Sequence, residues 1–286
     1  MPEGDALYRF AGRVGDALEG KVILAARAHG PGPVPQVERL VGARCERVAS
    51  RGKNLLIEFD NRLALRGHLR MYGTWHVYRP GERWSRPEAE ARLVLEVADA
   101  VVVNFSAPVI ELLEVRALAR HAPVTELGPD LLADDFDANE ALRRLRDPLR
   151  AEMTIGDAIM DQRVMAGVGN IWKHETLFRC GVYPWTRVRD LDDATLLELI
   201  ETAQHLLRAS VGKPNRWGLA RRPSMYAYMR GGQPCRRCGT TLRSARQGVD
   251  IRFTVWCPRC QPAPAPDERD SRQAGARRPP PGGRPG

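Results

Sequence analysis

Cys235-Arg-Arg-Cys238 and, eighteen residues later, Cys257-Pro-Arg-Cys260 form two CxxC pairs near the C-terminal end of the chain. Each pair can hold two sulfurs about 2.3 Å from one metal ion, and the intervening segment is long enough for a two-stranded hairpin. The spacing favours one structural Zn²⁺ held by four thiolates, which leave no coordination position for a catalytic water. Two disulfides and a redox-active CxxC are the alternatives. A reducing, cytoplasmic compartment is expected, because no signal peptide and no membrane-spanning apolar run is visible.

Positive charge is concentrated around these cysteines. The chain has a net charge of +9, and residues 211–261 contain eleven Lys/Arg against one acidic residue, so the rest has no net positive charge. A zinc hairpin surrounded by arginines is an expected binding surface for nucleic-acid phosphates. An ordinary solvated basic face is the alternative, and the localisation of the charge favours nucleic acid.

The N-terminal half has the pattern of a helix followed by a β-sandwich. Residues 5–18 place apolar side chains on one stripe at helical spacing, and Asp5 is the candidate N-cap. Short β-like runs separated by turn residues follow, namely 21–26, 44–50, 54–59, 63–69, 74–78, 91–97 and 100–104. That many strands after one helix predict a β-sandwich.

The C-terminal half is predicted to be helical up to the zinc hairpin. A Gly-Pro break at 127–130 precedes helical patterns at 137–147, 154–161, 170–180 and 190–210. Beyond Gln261, 11 of 25 residues are Pro or Gly, which predicts a disordered tail that could act as a weak DNA-binding arm. The fold class is therefore α+β multidomain. The expected boundaries are 1–127 for the β-sandwich, 128–228 for the helical domain, 229–261 for the zinc-finger hairpin and 262–286 for the tail.

The chain begins Met1-Pro2-Glu3, and removal of Met1 would leave a secondary amine beside a carboxylate. An α-amine has a reference pKa of about 7.7–8.0, so a useful fraction is unprotonated near neutral pH. Attack of such an amine on a sugar C1′ would give a charged iminium, which acts as an electron sink. The alternative is an ordinary terminus that frays in solvent.

Two glycine-containing turns could each bind a phosphate. Ser50-Arg-Gly-Lys-Asn54 presents Lys53 ahead of an apolar strand, and Gly167-Val-Gly169 places Asn170 at the N-terminus of a predicted helix. Exposed backbone amides and the helix dipole favour anions at such a position. A surface turn and a helix C-cap are the respective alternatives.

In order and spacing these motifs resemble the formamidopyrimidine-DNA glycosylase/endonuclease VIII family along nearly the whole chain up to Gln261. The matching stretches are Pro2-Glu3, Arg51-Gly52-Lys53, residues 161–171, Gly231-Gly-Gln-Pro-Cys235 and residues 252–261. The resemblance implies a β-sandwich with a leading helix, a helix–two-turn–helix domain and a zinc-finger β-hairpin. It also implies a bifunctional glycosylase and apurinic/apyrimidinic lyase, which flips a damaged base out of double-stranded DNA.

The resemblance implies roles for five residues of this chain. Pro2 would be the Schiff-base nucleophile, and Glu3 the acid that assists opening of the sugar. Lys53 would contact phosphate and donate a proton during β-elimination. Arg252 would grip the phosphate flanking the lesion and assist δ-elimination, while Asn170 would bind the same region of backbone.

A flipped base leaves a hole in the duplex that a loop must fill. Arg70, Met71 and Tyr72 resemble the family's wedge and could occupy the void; the alternative is that Met71 and Tyr72 pack the sandwich. Glu175 matches a carboxylate of the family's DNA-binding site, and a helix-surface acid is the alternative.

The start Pro2-Glu3-Gly4 favours the endonuclease VIII branch and oxidised pyrimidines. Residues 211–228 are also too few for the long base-covering loop of the purine branch. Asp5 stands where both branches commonly have proline, and the wedge matches neither branch cleanly. An oxidised-purine (8-oxoguanine) glycosylase is therefore the alternative substrate class.

Two alternatives from other classes are a non-catalytic zinc-finger protein that binds damaged DNA and a zinc-ribbon RNA or transcription module. The first gives no chemical reason for Pro2-Glu3 with Lys53, and the second explains the cysteines alone. The expected partner is double-stranded DNA with oxidised bases or abasic sites, bound by a monomer without membrane association.

Overall fold

The computed structural model describes residues 2–30, 33–211, 225–248 and 251–264. Helix α1 (Gly4–Leu18) opens the described chain and buries Leu7, Val14 and Leu18. The predicted N-cap is wrong by two residues, because Glu3 precedes the helix with an extended backbone and Asp5 lies inside the first turn. Asp5 has another role: its carboxylate is buried and accepts a hydrogen bond from Trp172 Nε1 at 3.1 Å.

Two four-stranded antiparallel sheets follow and form the predicted β-sandwich. One has the order β1-β6-β7-β5 and the other β2-β3-β4-β8. The strands are β1 (Ala25–Ala28), β2 (Cys45–Arg51), β3 (Asn54–Phe59), β4 (Leu63–His68), β5 (Thr74–Tyr78), β6 (Ala91–Glu96), β7 (Val101–Phe105) and β8 (Val109–Glu114). Side chains of both sheets, including Leu55, Leu65, Leu93 and Val102, share one core with α1.

Two differences from the predicted strands have a physical origin. Strand β1 begins at Ala25 rather than at residue 21, and Val22 makes an isolated bridge to Arg44 instead. Strand β8 was not predicted because it is a half-exposed edge strand whose single fully buried side chain is Ile110, so it lacks apolar alternation.

The helical part has its own core. The short helices α2 (Val115–Leu118) and α3 (Ala122–Thr125) still pack on the sandwich, where Leu118 and Val124 cluster with Leu56 and Ala64. The helical part itself consists of α4 (Ala138–Leu145), α5 (Ile155–Ala158), α6 (Asn170–Arg179) and α7 (Asp193–Val211). Asp137 caps α4 by accepting from the N–H groups of Asn139 and Glu140. All four predicted helices are present, although α5 is half its predicted length and α7 begins at Asp193. Gly128 lies so close to Val164 that a Cβ would be 2.3 Å from its carbonyl oxygen, which explains the glycine at the break.

Strands β9 (Arg243–Gln247) and β10 (Arg252–Trp256) form the predicted hairpin between the cysteine pairs. The sulfurs of Cys235, Cys238, Cys257 and Cys260 lie within 4.8 Å of one another. Cys235 and Cys260 are 3.9 Å apart at Sγ, and Cys238 and Cys257 are 3.5 Å apart. A tetrahedron with Zn–S bonds of about 2.3 Å has edges of about 3.8 Å, whereas a disulfide requires about 2.05 Å. The four cysteines hold one structural zinc.

No helix among the described residues is both long and apolar enough to cross a membrane. The predicted disordered tail is residues 262–286, and residues 265–286 of it lie outside the described part of the chain.

We expect Cys238→Ser to abolish stoichiometric zinc binding and to lower the midpoint of thermal unfolding, since three thiolates and a hydroxyl are a much weaker zinc site. Zinc content and the unfolding midpoint are measured on the purified protein. Cys180→Ser is the matched control, because Cys180 is not one of the four clustered cysteines and a serine can keep the bond that Cys180 Sγ makes to Thr202 Oγ1. One zinc per chain in Cys238→Ser would contradict the four-cysteine site.

Candidate active site

The carboxylate of Glu3 is fully buried at the N-terminus of α6. It accepts hydrogen bonds from the N–H groups of Gly169 at 3.1 Å, Ile171 at 2.8 Å and Trp172 at 3.2 Å. A Cβ at position 169 would lie 2.4 Å from Glu3 Cδ, so the glycine makes room for the acid. These three N–H donors and the positive end of the helix dipole hold the Glu3 carboxylate at this position.

A second contact fixes the start of the chain. Gly4 N donates to Gly167 O at 2.9 Å, and a Cβ on Gly4 would lie 2.8 Å from Gly167 Cα. Gly167 has φ +114, a conformation that other residues rarely adopt. Fraying therefore does not describe Glu3 and Gly4, and Pro2 directly precedes these two residues, which are bound to the Gly167–Gly169 turn. This is the turn that the sequence predicted as an anion site.

Lys53 lies in the predicted turn between β2 and β3. Gly52, with φ +57, donates its N–H to Asp130 Oδ2 at 2.6 Å, which ties the turn to the helical domain. Burial lowers the pKa of Lys53 to about 8; the charge of Glu3 opposes this shift and that of Arg252 adds to it. Glu3, Lys53 and Arg252 are thus close enough to influence one another electrostatically.

An open cleft of about 630 Å³ lies beside these groups. Lys53 from the sandwich and Arg252 from the zinc hairpin both line it. The remaining lining residues are Met153, Asp157, Met160, Asp161, Gln247 and Gly248. The cleft therefore joins residues of all three structural parts, and two of its side chains carry the positive charge that a phosphate requires.

Asn170 is the first residue of α6, as the sequence predicted. Its backbone oxygen bonds to His174 Nδ1, whereas its side-chain Oδ1 is buried and has no hydrogen-bond partner among the described residues. A buried amide oxygen without a partner is uncommon and often marks a functional position.

Glu175 has a different position from the one predicted. It is buried, and its carboxylate accepts from the N–H groups of Tyr226 at 2.9 Å, Ala227 at 3.0 Å and Tyr228 at 3.0 Å. The helix-surface alternative is therefore wrong. Both oxygens are engaged inside the protein, where they hold the chain that leads into the zinc hairpin, and the contact with DNA stays a prediction.

Arg70, Met71 and Tyr72 lie in the turn between β4 and β5. Met71 is 59% and Tyr72 75% exposed, so packing of the sandwich does not account for them. Arg70 has φ +43, and its N–H donates to His68 Nδ1 at 3.3 Å. Burial and the charge of Arg66 lower the pKa of His68 to about 4, which keeps this acceptor neutral.

Several residues that build the site were not predicted from the sequence. Asp130 holds the Lys53 turn from 78 residues away, and Arg66 Nη1 donates to Asn54 Oδ1 at 2.6 Å beside that turn. The Gly-Pro-Asp run at 128–130 was visible as a chain break. Nothing in its local pattern indicated which turn its aspartate would bind.

Comparisons with known proteins agree with this geometry. Family models described as the formamidopyrimidine-DNA glycosylase N-terminal domain, the formamidopyrimidine-DNA glycosylase H2TH domain and the zinc finger found in FPG and IleRS match residues 1–108, 127–216 and 232–263, respectively. Together these models match well over half of the chain and follow the order of the sandwich, the helices and the hairpin.

Relatives match over nearly their whole lengths. A Streptomyces coelicolor protein named probable endonuclease 8 2 is 41% identical over 272 residues, which cover 93% of this chain and 96% of the relative. A Mycolicibacterium smegmatis protein named DNA-(apurinic or apyrimidinic site) lyase Nei2 is 37% identical over 92% of this chain and 100% of its own. Endonuclease 8 of Escherichia coli is 30% identical, with 91% and 100% coverage.

A crystal structure of Lactococcus lactis formamidopyrimidine-DNA glycosylase, bound to DNA containing an abasic site, superposes with a TM-score of 0.79. The alignment covers 91% of this chain and 100% of the Lactococcus lactis chain at 21% identity, which establishes the shared fold. The chain therefore belongs to the formamidopyrimidine-DNA glycosylase/endonuclease VIII family and lies near its endonuclease VIII branch.

Proposed function

We propose that this protein is a bifunctional DNA glycosylase and apurinic/apyrimidinic lyase of base excision repair, which cleaves by β,δ-elimination through a Schiff base at Pro2. The observation that carries the proposal is the buried Glu3 carboxylate, which fixes the residue next to Pro2 at the N-terminus of α6 and within electrostatic range of Lys53. The Mycolicibacterium relative is named as such a lyase, and the Lactococcus enzyme was crystallised on abasic DNA.

The chemistry begins once Met1 is removed. The Pro2 nitrogen forms a bond to C1′, and the C1′–base bond breaks with its electrons leaving on the base. Glu3 takes the proton that the amine loses and returns it to the sugar ring oxygen, so that the ring opens and a charged iminium forms. Glu3, ionised again after it protonates the ring oxygen, takes a proton from C2′; the C2′–H electrons form a C1′–C2′ double bond and neutralise the iminium, and the resulting enamine expels the 3′ phosphate as the C3′–O3′ bond breaks.

The cations of the cleft act on the phosphates. Lys53 binds the phosphate that departs in β-elimination and supplies a proton to it. Arg252 binds the phosphate flanking the lesion and assists δ-elimination, in which the C5′–O5′ bond breaks. Asn170 binds the same stretch of backbone. Charge-assisted hydrogen bonds of this kind are shorter and stronger than neutral ones.

The wedge replaces the flipped base. Arg70, Met71 and Tyr72 project from a turn that the sandwich holds at both ends, and two of them are largely exposed. Insertion of an apolar and an aromatic side chain offsets the cost of unstacking, which amounts to a few kcal/mol per step. The positions of Met71 and Tyr72 therefore support their insertion into the duplex.

Oxidised pyrimidines are the proposed substrates. The Pro2-Glu3-Gly4 start and the short segment at 211–228 support this choice, although residues 212–224 lie outside the described structure. We further propose that the protein acts as a monomer on chromosomal DNA in the cytoplasm, with the domain boundaries expected from the sequence. A non-catalytic DNA-binding protein would have no use for the buried Glu3 beside an amine terminus.

Reduction with borohydride during cleavage of abasic DNA is expected to trap a covalent adduct at Pro2, since the iminium is the reducible species. A matched control carries a protease-cleavable extension ahead of Pro2, which keeps this nitrogen an amide. Mass spectrometry and denaturing gels should show the adduct after the extension is cleaved and none before. An adduct of equal yield with the extension intact would remove Pro2 as the nucleophile.

Lys53→Arg should separate charge from proton donation. Arginine keeps its charge at every accessible pH but cannot give up a proton, so we expect the rate of abasic-site cleavage to fall about 100-fold. Because the pKa of Lys53 is about 8, its ammonium fraction falls above that pH, and the affinity of the wild type for abasic DNA should weaken between pH 7 and pH 9. Fluorescence anisotropy should show less weakening in Lys53→Arg. Equal weakening in both proteins would assign the pH dependence to another group.

Duplexes containing thymine glycol, 5-hydroxyuracil or 8-oxoguanine distinguish the substrate classes. Single-turnover base release is expected to be at least about tenfold faster for the pyrimidine lesions, within the range that pocket contacts provide. A duplex with a preformed abasic site serves as the positive control for the lyase step. Faster release of 8-oxoguanine would assign the protein to the purine class and leave the lyase chemistry intact.

A further inference from the structure

A lysine is fully buried behind the cleft. Lys173 lies on α6, and its ammonium donates to the hydroxyl of Thr254 at 2.7 Å rather than to a carboxylate. Burial lowers the pKa of Lys173 to about 8, and the charge of Arg252 adds to this shift, while those of Asp157 and Glu3 oppose it. Placing an ammonium inside a protein costs free energy unless hydrogen bonds satisfy it. The surroundings of Lys173 therefore warrant a functional explanation.

The bond from Lys173 is the first of a continuous series. Thr254 Oγ1 donates to Gln247 Oε1 at 2.8 Å, and Gln247 Nε2 donates to Thr154 Oγ1 at 3.0 Å. Thr154 Oγ1 in turn donates to Asp157 Oδ2 at 2.8 Å. We call Lys173, Thr254, Gln247, Thr154 and Asp157 the hydrogen-bond chain.

The direction of the hydrogen-bond chain is determined by its ends. An ammonium can only donate and an ionised carboxylate can only accept, so both hydroxyl protons must point from Lys173 towards Asp157. Bonds aligned in one direction polarise one another and become stronger together. The series thus links a buried positive charge to a negative charge at the cleft and has one favoured arrangement.

The hydrogen-bond chain joins three separate parts of the fold. It begins on α6, crosses both strands of the zinc hairpin and ends at the first turn of α5. Gln247 is the direct cross-strand partner of Arg252, and Thr254 lies two residues further along β10 on the same face. Gln247, Asp157 and Arg252 also line the same cleft.

We propose that the hydrogen-bond chain positions Arg252 for the phosphate flanking the lesion, and that Lys173 and Thr254 are positioning residues of the lyase reaction. This inference rests on the proposed function, which gives Arg252 its phosphate. The zinc fixes the base of the hairpin, whereas Arg252 is the first residue of β10, at the far end from Cys257. The hydrogen-bond chain supplies an attachment near that far end.

Thr254→Val is the decisive variant, because valine has nearly the shape of threonine and lacks the hydroxyl. Affinity for DNA with a tetrahydrofuran abasic analogue should fall about tenfold, as the loss of a charge-assisted hydrogen bond allows. Thr254→Ser keeps the hydroxyl and should restore affinity to within about twofold of the wild type. Thr154→Val breaks the series outside the hairpin and should reproduce the loss even if Thr254→Val proves unstable.

Arg252→Ala distinguishes positioning from general damage. If Thr254 acts through Arg252, then Thr254→Val has no further effect on affinity in the Arg252→Ala background, since coupled residues are not additive. Equal tenfold losses in both backgrounds would overturn the proposal, and so would wild-type affinity in both Thr254→Val and Thr154→Val. If the wild type itself fails to cleave abasic DNA, the proposed function fails. If it cleaves and the variants bind normally, this inference alone fails.

Discussion

The hydrogen bonds between Glu3 and the N-terminus of α6 are the interaction on which the site depends. They connect Glu3 to residues 169–172 and so hold the start of the chain and the helical domain together at the candidate active site. A carboxylate there is stabilised by backbone dipoles that the helix provides in any case. Glu3 anchors the terminus and is also the neighbour of the proposed nucleophile Pro2, so one side chain has a structural role and a proposed catalytic role.

Two lysines, Lys53 and Lys173, lie within electrostatic range of that carboxylate, and burial of their charged forms lowers the stability of the folded protein. Burial lowers the pKa values of Lys53 and Lys173 to about 8, and Arg252 contributes to both shifts. A group whose folded-state pKa is depressed in this way is strained in its charged form. In the proposed complex with DNA, a phosphate in the cleft stabilises the charged form of Lys53.

The sequence predicted what depends on local pattern and spacing. The cysteine pairs predicted the zinc hairpin, alternation predicted seven strands, and the Pro2-Glu3 start together with the glycine turns indicated the family. Contacts between distant segments could not be predicted in this way. Nothing near Glu175 in the sequence showed that the N–H groups of residues 226–228 would bind its carboxylate. The bond from Gly52 to Asp130 and the hydrogen-bond chain were not predicted for the same reason, because tertiary packing determines which distant residues meet.

The attachment of Glu3 to Gly169 also sets an order of events during synthesis. The proposed amine exists only after an aminopeptidase removes Met1, and that enzyme needs an accessible terminus. Ribosomes add about 5–20 residues per second, so roughly 10–30 s pass between emergence of Pro2 and completion of α6. Until then Glu3 has no helix to bind, and the terminus stays open to processing. If Met1 is still present when α6 forms, Pro2 remains an amide, and the proposed Schiff base cannot form.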